Sequence, residues 1–151
     1  MTRPRYDSGR TRPASGRLFH RLWRACPAAR PHLDRLAHEA GLDATPAERA
    51  IPGSVTLALN PYSVLSEAFF WPVLAPAARA GEVGRLPALA AIVEALLASS
   101  DEDVRDATHI RVVTPVSQDP ELWPRFRPFA GQRLLAAIHA AEPNPHRAEP
   151  V

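Results

Sequence analysis

The stretch Asp101-Glu102-Asp103-Val104-Arg105-Asp106-Ala107 constrains the fold of this chain more than any other. It follows a strongly helical run, about Arg85 to Ser99, and opens a second one. Helices joined by so short a connection fold back on one another as a hairpin. Ser99 or Ser100 is placed to cap the second helix. The acids that follow lie where unpaired N–H groups and the positive end of the dipole favour negative charge. Such a junction builds helices stacked in antiparallel pairs.

Apolar spacing extends this picture along the chain. Leu86, Leu89, Ala90, Val93, Leu96 and Leu97 draw one face of the helix before the junction, with Ile92 widening it. Leu18, Phe19, Leu22, Trp23 and Cys26 draw another stripe, ended by Pro27. A short helix is expected from about Pro31 to Ala40, with Gly41 just past its end. Asn60 caps a long apolar segment that starts on Pro61 and is stopped by Gly81. Pro72 and Pro76 each remove an internal hydrogen bond there, so a kink or split is expected. The helix opened at Asp101 is expected to run to about Val113, where Pro115 interrupts it. A short element with Leu122, Trp123 and Phe126 follows, then a last helix from about Pro128 to Ala141 burying Phe129, Leu134, Leu135 and Ile138. Val55 to Leu59 has the composition of a strand but lacks a partner, so extended linker or a helical turn is favoured. The expectation is an all-α, compact antiparallel bundle over 16–141. A disordered arginine-rich arm (1–15) precedes it and a flexible tail (142–151) follows. The expected core includes Phe69, Leu86, Leu89, Val93, Leu96, Val104, Leu134 and Ile138.

A chain of 151 residues is long enough for one domain with a real core. All 18 basic residues are arginine, and they are unevenly spread. Residues 1–35 hold nine arginines against Asp7 and Asp34, whereas the remainder holds nine against fourteen acids. A basic arm on an acidic body suits an anionic partner or folds back on its own domain. The single cysteine excludes an intramolecular disulfide and a cysteine-based zinc site, which fits a reducing, cytoplasmic setting. No apolar run approaches the roughly 18–20 residues that span a bilayer.

Catalytic and metal patterns are missing. There is no P-loop, no dinucleotide-binding glycine pattern, no nucleophile elbow and no His-Glu-x-x-His run. His32 and His38 are six apart, not the three or four that align a helical face, and the other histidines are scattered. Cys26 sits in an apolar stripe and reads as a small core residue. No cofactor is expected. Glu94 interrupts an apolar helix at the border of its face, where it is expected to pair with Arg105 across the junction. Glu67 beside Phe70 supplies a second carboxylate, and an acid–base pair with Glu94 requires their convergence.

Asp101 to Ala107 resembles the second-helix opening of HEAT-type repeats, in which an acidic turn precedes Val-Arg and small residues. The resemblance implies that Val104 points into the core. Arg105 would then lie along the seam, bonding a carboxylate or a helix end. More widely, Leu22 to Pro27, Phe69 to Leu74, Ile92 to Leu97 and Asp101 to Asp106 resemble an uncharacterised family of small all-helical bacterial domains associated with toxin-immunity neighbourhoods. That resemblance implies an interaction domain rather than an enzyme. A basic protein partner would be met by the acidic helical surface of Asp101, Glu102, Asp103 and Asp106. Trp123, Arg125 and Arg127, with Phe126 and Trp71, offer residue types enriched at interfaces. The alternative is a nucleic-acid-associated regulator that neutralises phosphates with Arg3, Arg5, Arg10, Arg12 and Arg17. A small-molecule enzyme built on Glu67 and Glu94 comes third.

Overall fold

The computed structural model describes residues 13–41 and 59–141, and side chains from 17 onward within them. Seven helices account for nearly all of these residues, and no strand occurs among them. The first, α1, covers Pro13–Ala25, so it begins three residues before the expected start at Gly16. A 3-10 turn at Pro27–Ala29 leads into α2, Arg30–Glu39. Gly41 follows α2 with φ +76°, the left-handed conformation that glycine adopts at little cost. The arm arginines Arg3, Arg5, Arg10 and Arg12, residues 55–58 and the tail 142–151 lie outside the described residues.

Helix α3 spans 61–80 without a break. It starts as Pro61–Ser63, where the Asn60 side chain accepts the Tyr62 N–H at 2.8 Å. It continues as a π-helical stretch, Val64–Leu74, and returns to α geometry over Ala75–Ala80. The expected split at Pro72 and Pro76 does not occur: the helix runs through both prolines. In an α-helix a proline ring collides with the carbonyl four residues back; widening the turn moves that carbonyl away. In the wide register the missing Pro72 N–H would have met the Glu67 carbonyl. That carbonyl instead accepts from the Arg35 guanidinium at 3.4 Å. At the other end Gly81 turns left-handed (φ +66°), Gly81 N–H bonds the Ala78 carbonyl and Glu82 N–H reaches back to Ala77. This double closure satisfies the last carbonyls of α3.

Helix α4, Leu86–Leu97, meets α5 through the tight junction at 98–101. Asp101, not Ser99 or Ser100, caps α5: its carboxylate accepts the Asp103 N–H at 2.9 Å, while the Ser99 hydroxyl accepts the Asp101 N–H at 3.1 Å. Asp has the same capping competence as Ser and stands one residue closer to the first turn. Helix α5 spans 102–118 as Glu102–Thr108, a π stretch His109–Val113 and Thr114–Gln118. It passes through Pro115 rather than stopping at Val113. Both the N–H and the hydroxyl of Thr114 donate to the His109 carbonyl, closing the wide turn just before the proline.

The short helix α6, Leu122–Phe126, runs into a 3-10 turn at Arg127–Phe129. The last helix, α7, is Gln132–Ala141, so it begins at Gln132 and not at Pro128. Gly131 separates the two. The first turn of α3 packs on Glu102–Thr108 and its middle on His109–Val113, so α3 and α5 run side by side in the same sense. Helix α4 returns between their ends, α2 covers α3, and α7 lies on α4 and the second half of α5.

The core is continuous across these layers. Phe19, Phe69, Phe70 and Phe126 are fully buried with Leu33, Leu65, Leu74 and Leu86. Every residue of the expected core is buried. Leu135 is not: it is 40 % exposed, because it sits one position past the buried Leu134 on a helix covered along one side only. Asp119 fastens the α5–α6 corner. Its carboxylate accepts the Glu121 N–H at 2.8 Å and the Leu122 N–H at 3.2 Å, and pairs with Arg79 at 2.9 Å. The backbone bond from Glu121 is the main reason its carboxyl is held below its usual range, helped by Arg79. A depressed carboxyl pKa contributes stability that is present at neutral pH and fades as pH falls below about 4. Asp119→Asn is therefore expected to lower the melting temperature slightly at pH 7, with a difference that shrinks by pH 3.

Candidate interaction face

Helix α5 presents a stripe to solvent through Glu102, Asp106 and Ile110, each four residues from the last. All three are exposed, and Ile110 is 54 % exposed despite being a large β-branched side chain. His109 is exposed beside Asp106, and Asp103 is half-buried on the flank of the stripe. The opposite face of the same helix carries Val104, Ala107, Val112, Val113 and Val116 into the core. Ile110 and His109 belong to the π stretch, which sets them on the outer side while Val112 and Val113 remain inside. Next to them Arg111 lies over the Tyr62 ring, 5.8 Å from its centroid, tying this face to the start of α3.

Charge distinguishes the stripe from the remaining surface. Elsewhere the exposed acids meet arginines: Glu39 and Glu67 meet Arg35, Glu82 meets Arg85, and Glu121 joins Asp119 on Arg79. Among the described residues, Glu102 and Asp106 have no such cation. Arg105 lies between them in sequence, but its guanidinium turns inward and donates to the Ser99 carbonyl at 2.7 Å. It thus closes the end of α4, as the HEAT-like junction implies, and Val104 is buried as that junction also implies.

The expected Glu94–Arg105 pair does not form. Glu94 accepts the backbone N–H groups of Arg133 and Leu134, at 3.0 and 3.1 Å, from the first turn of α7. A helix start offers unpaired N–H donors and a positive dipole end, which satisfy a carboxylate much as an arginine would. Gly131 makes this possible, since a Cβ there would overlap the Glu94 carboxylate. Glu67 is engaged with Arg35 on the α2 side of α3, so the two glutamates serve separate contacts.

The four acids are not equally exposed. Asp101 is half-buried as the cap, whereas Glu102 and Asp106 project outward. Trp123, Arg125 and Arg127 lie elsewhere, on and just after α6, which packs on the last turns of α3 and α5. That end is about 20 Å along α5 from the acids, at 1.5 Å per residue. Trp123 is half-buried against the core, and Arg125 donates to the Arg79 carbonyl at the end of α3. Of these three, Arg127 alone is both exposed and uncommitted among the described residues. Trp71 is 56 % exposed, edge-on to Phe70 at 4.8 Å. Ile110 was not singled out in the sequence; its offset of four from Asp106 was the available signal.

Burial pushes the Cys26 thiol up, which keeps it protonated and unreactive at neutral pH. Among the described residues, no group of three or more His, Cys, Asp or Glu side chains is arranged to hold a metal ion. No described helix is long and apolar enough to cross a membrane. Comparison with family models, with curated proteins and with solved structures returned no match, so the residues themselves carry the functional argument.

Proposed function

We propose that this protein is an interaction domain that binds a basic protein partner through the outer face of α5. Glu102 and Asp106 supply negative charge, with Asp103 at the edge, and Ile110 supplies an apolar anchor. The observation that carries the reading is the contrast between these two uncompensated carboxylates and the arginine-paired acids of the surrounding surface. Acids already paired have spent their field on a neighbour, whereas unpaired ones steer a cationic partner and speed its encounter. An apolar side chain within a charged rim is the usual composition of a small contact centre. Trp123, Arg125 and Arg127 lie outside this face and are assigned no part in it. An immunity-like role, in which occlusion of a basic toxin is the mechanism, is the form of this reading that the sequence resemblance favours.

The test uses a short synthetic peptide of arginines interspersed with leucine, titrated against the full chain. Glu102→Lys with Asp106→Lys is expected to weaken binding roughly tenfold at low salt, mostly through slower association. Ile110→Ala is expected to speed dissociation instead. The charge reversal should lower the melting temperature only modestly, since Glu102 lies in the first turn of α5, and Ile110→Ala should leave it nearly unchanged. Equal binding by the charge-reversed and natural chains would remove α5 from the interface.

A further inference from the structure

We propose that α7 is a strap that opens as a unit while the rest of the bundle stays folded, hinged at Ala130-Gly131 and latched by Glu94. Apolar burial is unevenly shared among the helices. Helix α4 buries six of its twelve residues, and the π stretch of α3 seven of its eleven. Helix α7 buries two of its ten, Leu134 and Ile138, which stand one turn apart. Even α2, of the same length, buries three. Gln132, Arg133, Leu135 and Ala136 face solvent. The cost of opening a segment locally follows the buried contacts it must give up, and α7 has the fewest for its length among the described helices of ten residues or more.

The start of α7 is held by a single polar side chain. One Glu94 oxygen accepts the Arg133 N–H and the other the Leu134 N–H, so both bonds are lost together when the carboxylate turns away. Glu94 is half-buried, and water replaces both partners of such bonds once they part. Between the 3-10 turn and α7 stand only Ala130, with extended backbone (φ −69°, ψ 138°), and Gly131. A short non-helical link of this kind absorbs a rotation without breaking helical hydrogen bonds. Opening uncovers the sides of α4 and of His109–Gln118 on which α7 lies, whereas the packing of α3 on α2 and α5 is untouched. The inference goes beyond the α5 reading and does not depend on it.

The experiment is native-state hydrogen exchange of the full chain, resolved by residue and repeated in low concentrations of urea. The amides of Leu135 to Ile138 are expected to exchange about a hundredfold or more faster than the slowest amides of α3 and α4. They should share one urea dependence, well below the global one, because opening the strap exposes little surface. Glu94→Ala should speed their exchange about tenfold or more, since both latch bonds go. Phe69→Leu is the control, because Phe69 stays packed when α7 opens. It should speed the slowest α3 amides roughly tenfold and leave those of α7 unchanged. The proposal is overturned if α7 and α3 share one rate and one urea dependence, or if Phe69→Leu speeds both sets equally. It is also overturned if Glu94→Ala leaves α7 exchange unchanged, or if the urea dependence is graded residue by residue along α7, as in fraying from one end.

Discussion

Phe69→Ala is expected to destabilise the domain by about 3–5 kcal/mol, the range for truncating a buried aromatic. Phe69 is fully buried in the middle of α3, the helix covered by α2 on one side and α5 on another. The neighbouring elements cannot collapse freely into the space, because α3 is fixed at both ends. Asn60 caps its start, and Gly81 with Glu82 closes its finish. A domain of ordinary stability holds about 5–15 kcal/mol in total, so this one change removes a large part of it. Trp71→Ala, two residues on, is the internal comparison. Its side chain is 56 % exposed and edge-on to Phe70, so its loss is expected to cost under about 1 kcal/mol. Chemical denaturation of both variants measures the contrast. Equal costs would mean that the faces of α3 are assigned wrongly.

The second large effect is expected where α4 meets α7. Glu94→Ala removes the acceptor for two N–H groups at the start of α7, with the charge that opposes the helix dipole. Hydrogen bonds to a charged group contribute about 1.5–3 kcal/mol, and a loss of that order is expected. Gly131→Ala attacks the same joint from the other side, since the added Cβ must displace the Glu94 carboxylate. Each variant alone breaks the joint, whereas the double variant breaks it once. The combined cost is therefore expected to fall short of the sum by about 1 kcal/mol or more. Glu94→Gln should be milder than alanine, because its amide oxygen still accepts. Additive costs for Glu94 and Gly131 would show that the carboxylate does not sit against the glycine.

Local rules made much of this architecture readable in advance. Apolar spacing named the buried positions of α1, α4 and α7, with Leu135 the exception. Asn60 with Pro61, and Gly81 after Arg79, marked the ends of α3 because caps and left-handed glycines act within one turn. The two π stretches were not readable. Proline chemistry says that an α hydrogen bond is lost at Pro72, Pro76 and Pro115, but kinking, breaking and widening all answer that loss. Packing of α3 against α5 favours continuity, and Arg35 supplies the replacement donor from another helix. The partner of Glu94 was hidden for a related reason. Its acceptors' donors lie 39 and 40 residues away, beyond any periodicity argument, and the nearer Arg105 was already needed at Ser99. Of the candidate face, the acids were legible as a run, yet which of them turn outward depended on Asp101 taking the cap.

The claim that α5 presents the binding face is tested most directly by mapping backbone amide shifts in the full chain. The natural protein is titrated with the arginine–leucine peptide at low salt. The expected result is a contiguous set of perturbed amides at Glu102, Asp103, Asp106, His109 and Ile110, shrinking as salt is raised. Perturbation centred on Trp123 to Arg127, or spread evenly over paired acids such as Glu82 and Glu121, would contradict the assignment.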